Sequence, residues 1–194
     1  MPVKAANKKG ILIFPGAGVF GRRWEIEKFL DLINRVISYT AEPVTLIGGH
    51  GELEAGEFLM CELPPGSVTN LIGKTSLTEL IEQIAGAELL ISNETSAIHI
   101  AAAVSTKTIC ILGGGHFERF APYPKNMQNS LLCLFEKMPC FNCNWQCIYK
   151  PGENDPFPCI SSLSAEKVWD EVKTALSISV NYSHQESLQT GGVD

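Results

Sequence analysis

The sequence predicts an α/β fold: a Rossmann-like, doubly wound parallel sheet. Three observations lead there. Short runs that are apolar throughout, such as Ile11–Phe14 and Val44–Ile47, alternate with longer segments that are apolar at helical spacing. Strands apolar on both faces belong to parallel sheets covered by helices on each side. The residues that follow each run are Gly, small polar or charged, as they are at the ligand-bearing edge of such sheets.

The elements follow in order. Ile11–Phe14 is a strand stopped by Pro15 and Gly16. Trp24–Ser38 is the clearest helix, with Ile26, Phe29, Leu30, Ile33, Val36 and Ile37 at the i, i+3, i+4, i+7 positions. Val44–Ile47 is the second strand, and Leu53–Glu62 a helix weakened by Gly56. Val68–Ile72 is the third strand. Leu77–Ala85 is a helix with Leu77, Leu80, Ile81 and Ile84 on one face, opened by a Ser76/Glu79 capping box. Glu88–Ile91 is the fourth strand, Ser96–Val104 an all-apolar helix, Thr108–Leu112 the fifth strand and Leu131–Phe135 the sixth. A loop-rich cysteine segment spans Pro139–Cys159, and a last amphipathic helix runs from about Ser164 to Leu176 on Val168, Val172, Ala175 and Leu176. The expected division is an extension (1–10), one domain (11–177, with the cysteine loop at 139–160) and a disordered polar tail (178–194).

Composition bounds the function. The 194 residues are 45% hydrophobic and 19% charged, with a net charge of −6. That suits a globular domain with a sizeable core. The absence of a Lys/Arg block argues against nucleic acid or anionic lipid as a partner. No apolar run reaches the ~20 residues that span a bilayer, and Met1–Lys9 lacks the apolar stretch of a secretory signal. The expected compartment is the cytoplasm, where cysteines are thiols or metal ligands more often than disulfides.

The loops after the strands carry the chemistry. They are Gly16–Arg23, Gly48–Glu52, Gly73–Ser76, Ser92–Ser96 and Gly113–Arg119. Together they read as one rim for an anionic, hydroxylated ligand. In the first, Gly16, Gly18 and Gly21 match the G-x-G-x-x-G dinucleotide fingerprint. An NAD(P)-binding domain is therefore one reading. However, the fingerprint's acid belongs at the end of the second strand, whereas Glu42 precedes that strand and Glu52 lies too far along. Arg22 and Arg23 sit before a helix start, where cations are disfavoured by ~0.3–1 kcal/mol each unless an anion offsets them. In "SNETSAIHIAAA", Thr95 and Ser96 suit helix capping. Glu94 could accept from sugar hydroxyls, and His99, near the positive helix end, is disfavoured as a cation. Asn93 has no evident task.

Cys140, Cys143, Cys147 and Cys159 offer soft ligands in one loop. Zinc, one or two disulfides, or free thiols are all compatible with this spacing. A non-enzymatic interaction module stabilised by metal is thus a further reading. Cys61, Cys110 and Cys133 fall in helix or strand and read as core.

The segments "FPGAG", "RRWEIEKFLDLI", "LIGGHGE", "LIGKTSLTELIEQIAGAELLISNETSAIHIAAA" and "GGGHFERFAPYP", in this order, resemble the heptosyltransferases of glycosyltransferase family 9 over residues 11 to 176. The resemblance implies the C-terminal, donor-binding half of a two-domain GT-B enzyme. It implies a nucleotide-sugar such as ADP-heptose as donor, no required cofactor, inversion at the anomeric carbon, and an acceptor glycan or lipopolysaccharide core at the cytoplasmic, inner-membrane face. The Ala17–Gly18 backbone and Arg22 would hold the donor's phosphates and Glu52 would lie near the nucleoside. The family's acid-Thr-small-x-x-His pattern is filled by Glu94, Thr95, Ser96 and His99. Glu94 is then the candidate for sugar hydroxyls, Thr95 and Ser96 for phosphate, and Arg22 and His99 for the leaving group. The acceptor domain, which supplies the catalytic base, is expected from an N-terminal domain or partner chain that this sequence does not include.

Overall fold

The computed structural model describes residues 8–124 and 130–189, the last stretch (178–189) as backbone only. Six parallel strands form one sheet: β1 (Ile11–Phe14), β2 (Val44–Leu46), β3 (Val68–Asn70), β4 (Leu89–Asn93), β5 (Lys107–Ile111) and β6 (Leu131–Leu134). Their spatial order is β3-β2-β1-β4-β5-β6. The chain starts in the middle, steps outward to β3, then returns to the other side of β1 and steps outward again. This is the expected doubly wound Rossmann-like topology, and the reversal lies between β1 and β4.

The helices are α1 (Ile26–Tyr39), α2 (Leu53–Glu62), α3 (Leu77–Gly86), α4 (Ser96–Ala103), α5 (Pro158–Ser161) and α6 (Ala165–Gln189). β1 shows how the sheet feeds two layers. Ile11 and Ile13 pack with Phe29, Leu32, Ile33 and Val36 of α1, Leu59 of α2 and Val168, Val172 and Leu176 of α6. Leu12 and Phe14 pack with Ile84 of α3 and Ala97 and Ala101 of α4. Consecutive strand side chains face opposite ways, so an all-apolar strand fills both layers. Each fully buried Leu or Ile contributes ~1.5–3 kcal/mol.

Several boundaries differ from expectation, each for a local reason. α1 begins at Ile26 rather than Trp24, because Glu25 is its N-cap with a non-helical ψ of 135°; Trp24 is tied instead to Asn93 Oδ1 through its backbone N–H (3.1 Å) and to Leu163 O through its indole N–H (2.8 Å). β3 stops at Asn70, whose side-chain oxygen accepts from Ile72 N (3.0 Å) and turns the chain. The Ser76/Glu79 capping box forms as expected, but α3 rests on the sheet through Leu80 and Ile84 alone. Leu77 and Ile81 stand exposed. α2 tolerates Gly56 because the helix approaches β3 closely: a Cβ there would lie 2.9 Å from Ile72 Cδ1. The last helix runs to Gln189, past Leu176 and into the segment read as a disordered tail. Between Ser177 and Gln189 there is no Gly or Pro to stop it; residues 190–194 lie outside the described ones. Of the N-terminal extension, Lys9 and Gly10 are tied to the domain, through Lys9 N to Gly86 O (3.0 Å) and Gly10 N to Glu42 Oε2 (2.8 Å). No helix among the described residues is long and apolar enough to cross a membrane.

Candidate functional site

β1 and β4 are neighbours, with Phe14 beside Ser92 in the register, yet the helices that follow them leave toward opposite layers. The loops therefore diverge and open a crevice at the carboxyl ends of the strands. A cavity of about 390 Å³ lies there. It is lined by Ala17, Gly18 and Arg22 after β1, Glu52 after β2, Glu94 after β4, and Thr95, Ser96 and His99 at the start of α4. Every candidate binding residue thus borders one space. Phe14 and Phe120 complete the lining, and the sequence reading missed both. Phe14 looked like ordinary strand core, and Phe120 follows a loop whose path motif reading leaves undefined.

β4 extends two residues beyond its expected end, to Asn93, and this positions the site. Asn93 is fully buried. Its Nδ2 donates to Pro15 O (2.8 Å) and Gly16 O (3.1 Å), while Oδ1 accepts from Trp24 N. One side chain thereby clamps the β1 loop to the end of β4. The next residue, Glu94, continues the ladder through its N–H to Ile111 O (3.2 Å). Thr95 caps α4 by accepting from Ala97 N (3.3 Å).

The cavity's charges are paired across it. Arg22 Nη2 lies 3.2 Å from Glu94 Oε2 and donates to Glu94 O at 3.3 Å. The carboxylate oxygen and Arg22 Nε are both buried without an aligned hydrogen-bond partner, so the two groups attract as charges and not through a bidentate fork. Burial raises the pKa of Glu94 above its ordinary value, and Arg22 pulls it part of the way back. Glu52 closes its own turn by accepting from Gly49 N (2.9 Å), and Oε1 sits 4.0 Å from Arg23 Nη2. Its side chain lies across Gly16, where any Cβ would land inside it. His99 Nδ1 hydrogen-bonds the Tyr123 hydroxyl, and partial burial holds its pKa below the usual histidine value.

The expected rim is narrower than five loops. Gly73–Ser76 and Gly113–Arg119 contribute nothing to the cavity lining. Lys74 Nζ bonds Asn70 O (2.9 Å) and Ser76 caps α3. The Gly113–Gly115 triplet instead receives the cysteine segment: Cβ atoms on these glycines would collide with Trp145, Phe141 and Trp145 respectively. The dinucleotide fingerprint also dissolves. Gly21 lies in a 3-10 turn before α1, under the ring of Phe157, and Glu42 binds Gly10 at the opposite end of the sheet. Gly18 remains at the cavity and Gly16 lies under the Glu52 side chain, while Gly21 packs on Phe157 where NAD binding uses a close helix–strand contact. None of the cysteines is in a disulfide, and among the described residues no three His, Cys, Asp or Glu side chains converge as a metal site.

The chain is similar in sequence and fold to known glycosyltransferases. Residues 2–150 match the model of glycosyltransferase family 9 (heptosyltransferase). The chain is 28% identical over 179 residues to lipooligosaccharide heptosyltransferase 2 of Campylobacter jejuni, covering 89% of this chain and 53% of that protein. It shares its fold with ADP-heptose LPS heptosyltransferase II of E. coli (TM-score 0.72, 18% identity, 91% of this chain and 49% of that one). It also shares it with E. coli heptosyltransferase WaaC solved with ADP-2-deoxy-2-fluoro heptose (TM-score 0.61, 19% identity, 86% and 43%). The chain spans about half the length of the curated relatives it matches. With more than half of its length matched by the family model, the chain belongs to glycosyltransferase family 9, the heptosyltransferase family.

Proposed function

We propose that this chain is the donor-binding half of an inverting, heptosyltransferase-like glycosyltransferase. The donor is a nucleotide-sugar such as ADP-heptose, held in the crevice between β1 and β4 without a required metal. The observation that carries this reading is the convergence of Ala17, Gly18, Arg22, Glu52, Glu94, Thr95, Ser96 and His99 around one cavity at the sheet's reversal point. The similarity to a protein solved with an ADP-heptose analogue supports the choice of nucleotide.

Each residue then has a task its position permits. The open backbone at Ala17–Gly18 and the start of α4 present N–H groups to a diphosphate. Arg22 adds the positive charge, and Thr95 and Ser96 supply hydroxyls. Glu94 accepts from sugar hydroxyls, and Glu52, held by its turn, faces the nucleoside. His99 is held by Tyr123 through Nδ1 and turns Nε2 to a ligand oxygen. In the transfer step an acceptor hydroxyl displaces the nucleoside diphosphate in line at the anomeric carbon. The bond to the departing oxygen breaks and its negative charge grows beside Arg22 and the N–H groups, which are already in place. A base in the acceptor-binding half of the enzyme takes the acceptor's proton, and that half holds a lipopolysaccharide-core acceptor. The place of action is the cytoplasmic side of the inner membrane.

Calorimetry with ADP, UDP and GDP tests the reading. Saturable binding of at least one diphosphate is expected. Arg22→Met should weaken it by about 10- to 100-fold, the range for losing a hydrogen bond to a charged partner. Folded protein that binds none of the three would overturn the assignment.

A further inference from the structure

The cysteine segment has no place in the donor reading, yet it reaches the site through one side chain. The Trp145 ring lies under the Arg22 guanidinium, 4.7 Å from centroid to carbon. We propose that Trp145 is a positioning residue for Arg22: its indole face holds the guanidinium at the cavity wall and sets the strength with which the site grips a nucleoside diphosphate. This rests on the donor-binding reading above.

Arg22 needs such a holder. It ends a single 3-10 turn, and its side chain is among the longest and most freely rotating. Among the described residues Nη2 bonds Glu94, and Nε is buried without a partner. A carboxylate alone would hold the group at the cost of cancelling its charge. A ring face holds it without doing so, because the face accepts no in-plane N–H group and leaves the guanidinium edge free for an anion.

Trp145 is in turn fixed from several sides. Its indole N–H donates to His116 Nδ1 (3.2 Å), and His116 Nε2 bonds Asn144 Oδ1 (2.7 Å). Because an indole nitrogen only donates, His116 accepts at Nδ1 and donates from Nε2. The ring stacks on Phe157 at 5.3 Å. It occupies the space left by Gly113 and Gly115, where a Cβ would lie 2.7 Å from the ring or inside it. Asn144 and Trp145 both adopt left-handed backbone conformations, φ 54° and 62°, with Asn144 N bonded to Gly115 O (2.9 Å). A positive φ at a residue as bulky as Trp is unfavourable and persists where the surroundings impose it, most often at working sites. Trp145 does not line the cavity, so its influence passes through Arg22. Gly113, Gly115 and the left-handed turn at Asn144–Trp145 thus serve one placement.

The test uses Trp145→Leu, Trp145→Phe, and site-specific replacement of Trp145 by mono-, di- and trifluorotryptophan. Fluorine drains the ring face of negative charge and keeps its shape. ADP affinity should fall about tenfold in Trp145→Leu and recover largely in Trp145→Phe. It should also decline stepwise with fluorination while adenosine affinity stays constant. On an Arg22→Met background, Trp145→Leu should cause no further loss. A flat ADP affinity across the fluorinated series would overturn the proposal, as would equal losses for adenosine and ADP. The fluorinated proteins decide the matter if the leucine variant does not fold. The Arg22 Nε–H proton signal supplies a readout without ligand, shifted upfield by the indole in the parent and released in Trp145→Leu. Should folded parent protein bind no nucleoside diphosphate while showing that shift, the donor reading fails and the placement of Arg22 by Trp145 stands. With no shift in the parent, the placement itself is wrong.

Discussion

Gly18 and Glu94 show how single residues at the site answer to different demands. A Cβ on Gly18 would meet nothing within 4 Å, so packing does not require glycine there. If a diphosphate approaches that backbone, Gly18→Ala should leave thermal stability within ~0.5 kcal/mol of the parent and weaken ADP binding measurably by calorimetry. Unchanged affinity would remove the Ala17–Gly18 backbone from the phosphate site. Glu94 makes a pH prediction. Burial outweighs the pull of Arg22, so the folded state holds the proton to a higher pH than the unfolded chain does. Between the ordinary carboxyl value near ~4.3 and the raised folded one, the folded protein binds more protons and stability falls as pH rises. Glu94→Gln abolishes that loss. Its melting temperature should exceed the parent's at pH 7, and the gap should close as pH drops below the ordinary carboxyl range. A lower melting temperature at pH 7 would mean that the Arg22 ion pair dominates.

At the scale of elements, the site depends on where β4 ends and on what the cysteine segment covers. Asn93 carries three buried hydrogen bonds that join the β1 loop, the start of α1 and the end of β4. Asn93→Ala orphans two carbonyls and an N–H, at a net cost of about 2–4 kcal/mol. The melting temperature should drop by about 5–15 °C, measured by differential scanning calorimetry. Periodicity made the strands and helices legible, because a residue pattern of two or 3.6 survives in one dimension. It left Asn93 unassigned because its partners lie 69 to 78 positions away in sequence. The two rim loops that turned out to serve structure, Gly73–Ser76 and Gly113–Arg119, have the same composition as those that line the cavity. Glycine makes room for whatever approaches it, and the sequence does not say whether that is a ligand or, as here, the rings of Trp145 and Phe141.

For the whole molecule, the decisive feature is the reversal between β1 and β4, which brings loops from positions 17–22, 52 and 94–99 to one opening. A ligand that bridges both halves of the sheet stabilises the domain as a unit. At 100 times its dissociation constant, ADP should add about 2.7 kcal/mol and raise the melting temperature by roughly 5–10 °C, readable by thermal shift. An effect seen in Gly18→Ala and lost in Arg22→Met would assign most of the grip to charge. The order of apolar strands and amphipathic helices, with right-handed crossovers, determined the doubly wound sheet and the end of it at which the candidate residues gather. The family motifs likewise marked Arg22, Glu52, Glu94 and His99 as candidates, and all four line one cavity. Tertiary structure alone decided which glycine loops face the cavity, that Glu94 is buried against Arg22, and that Trp145 comes to lie under that arginine. Those relations join residues far apart in the chain, and they depend on packing distances that a linear pattern does not contain.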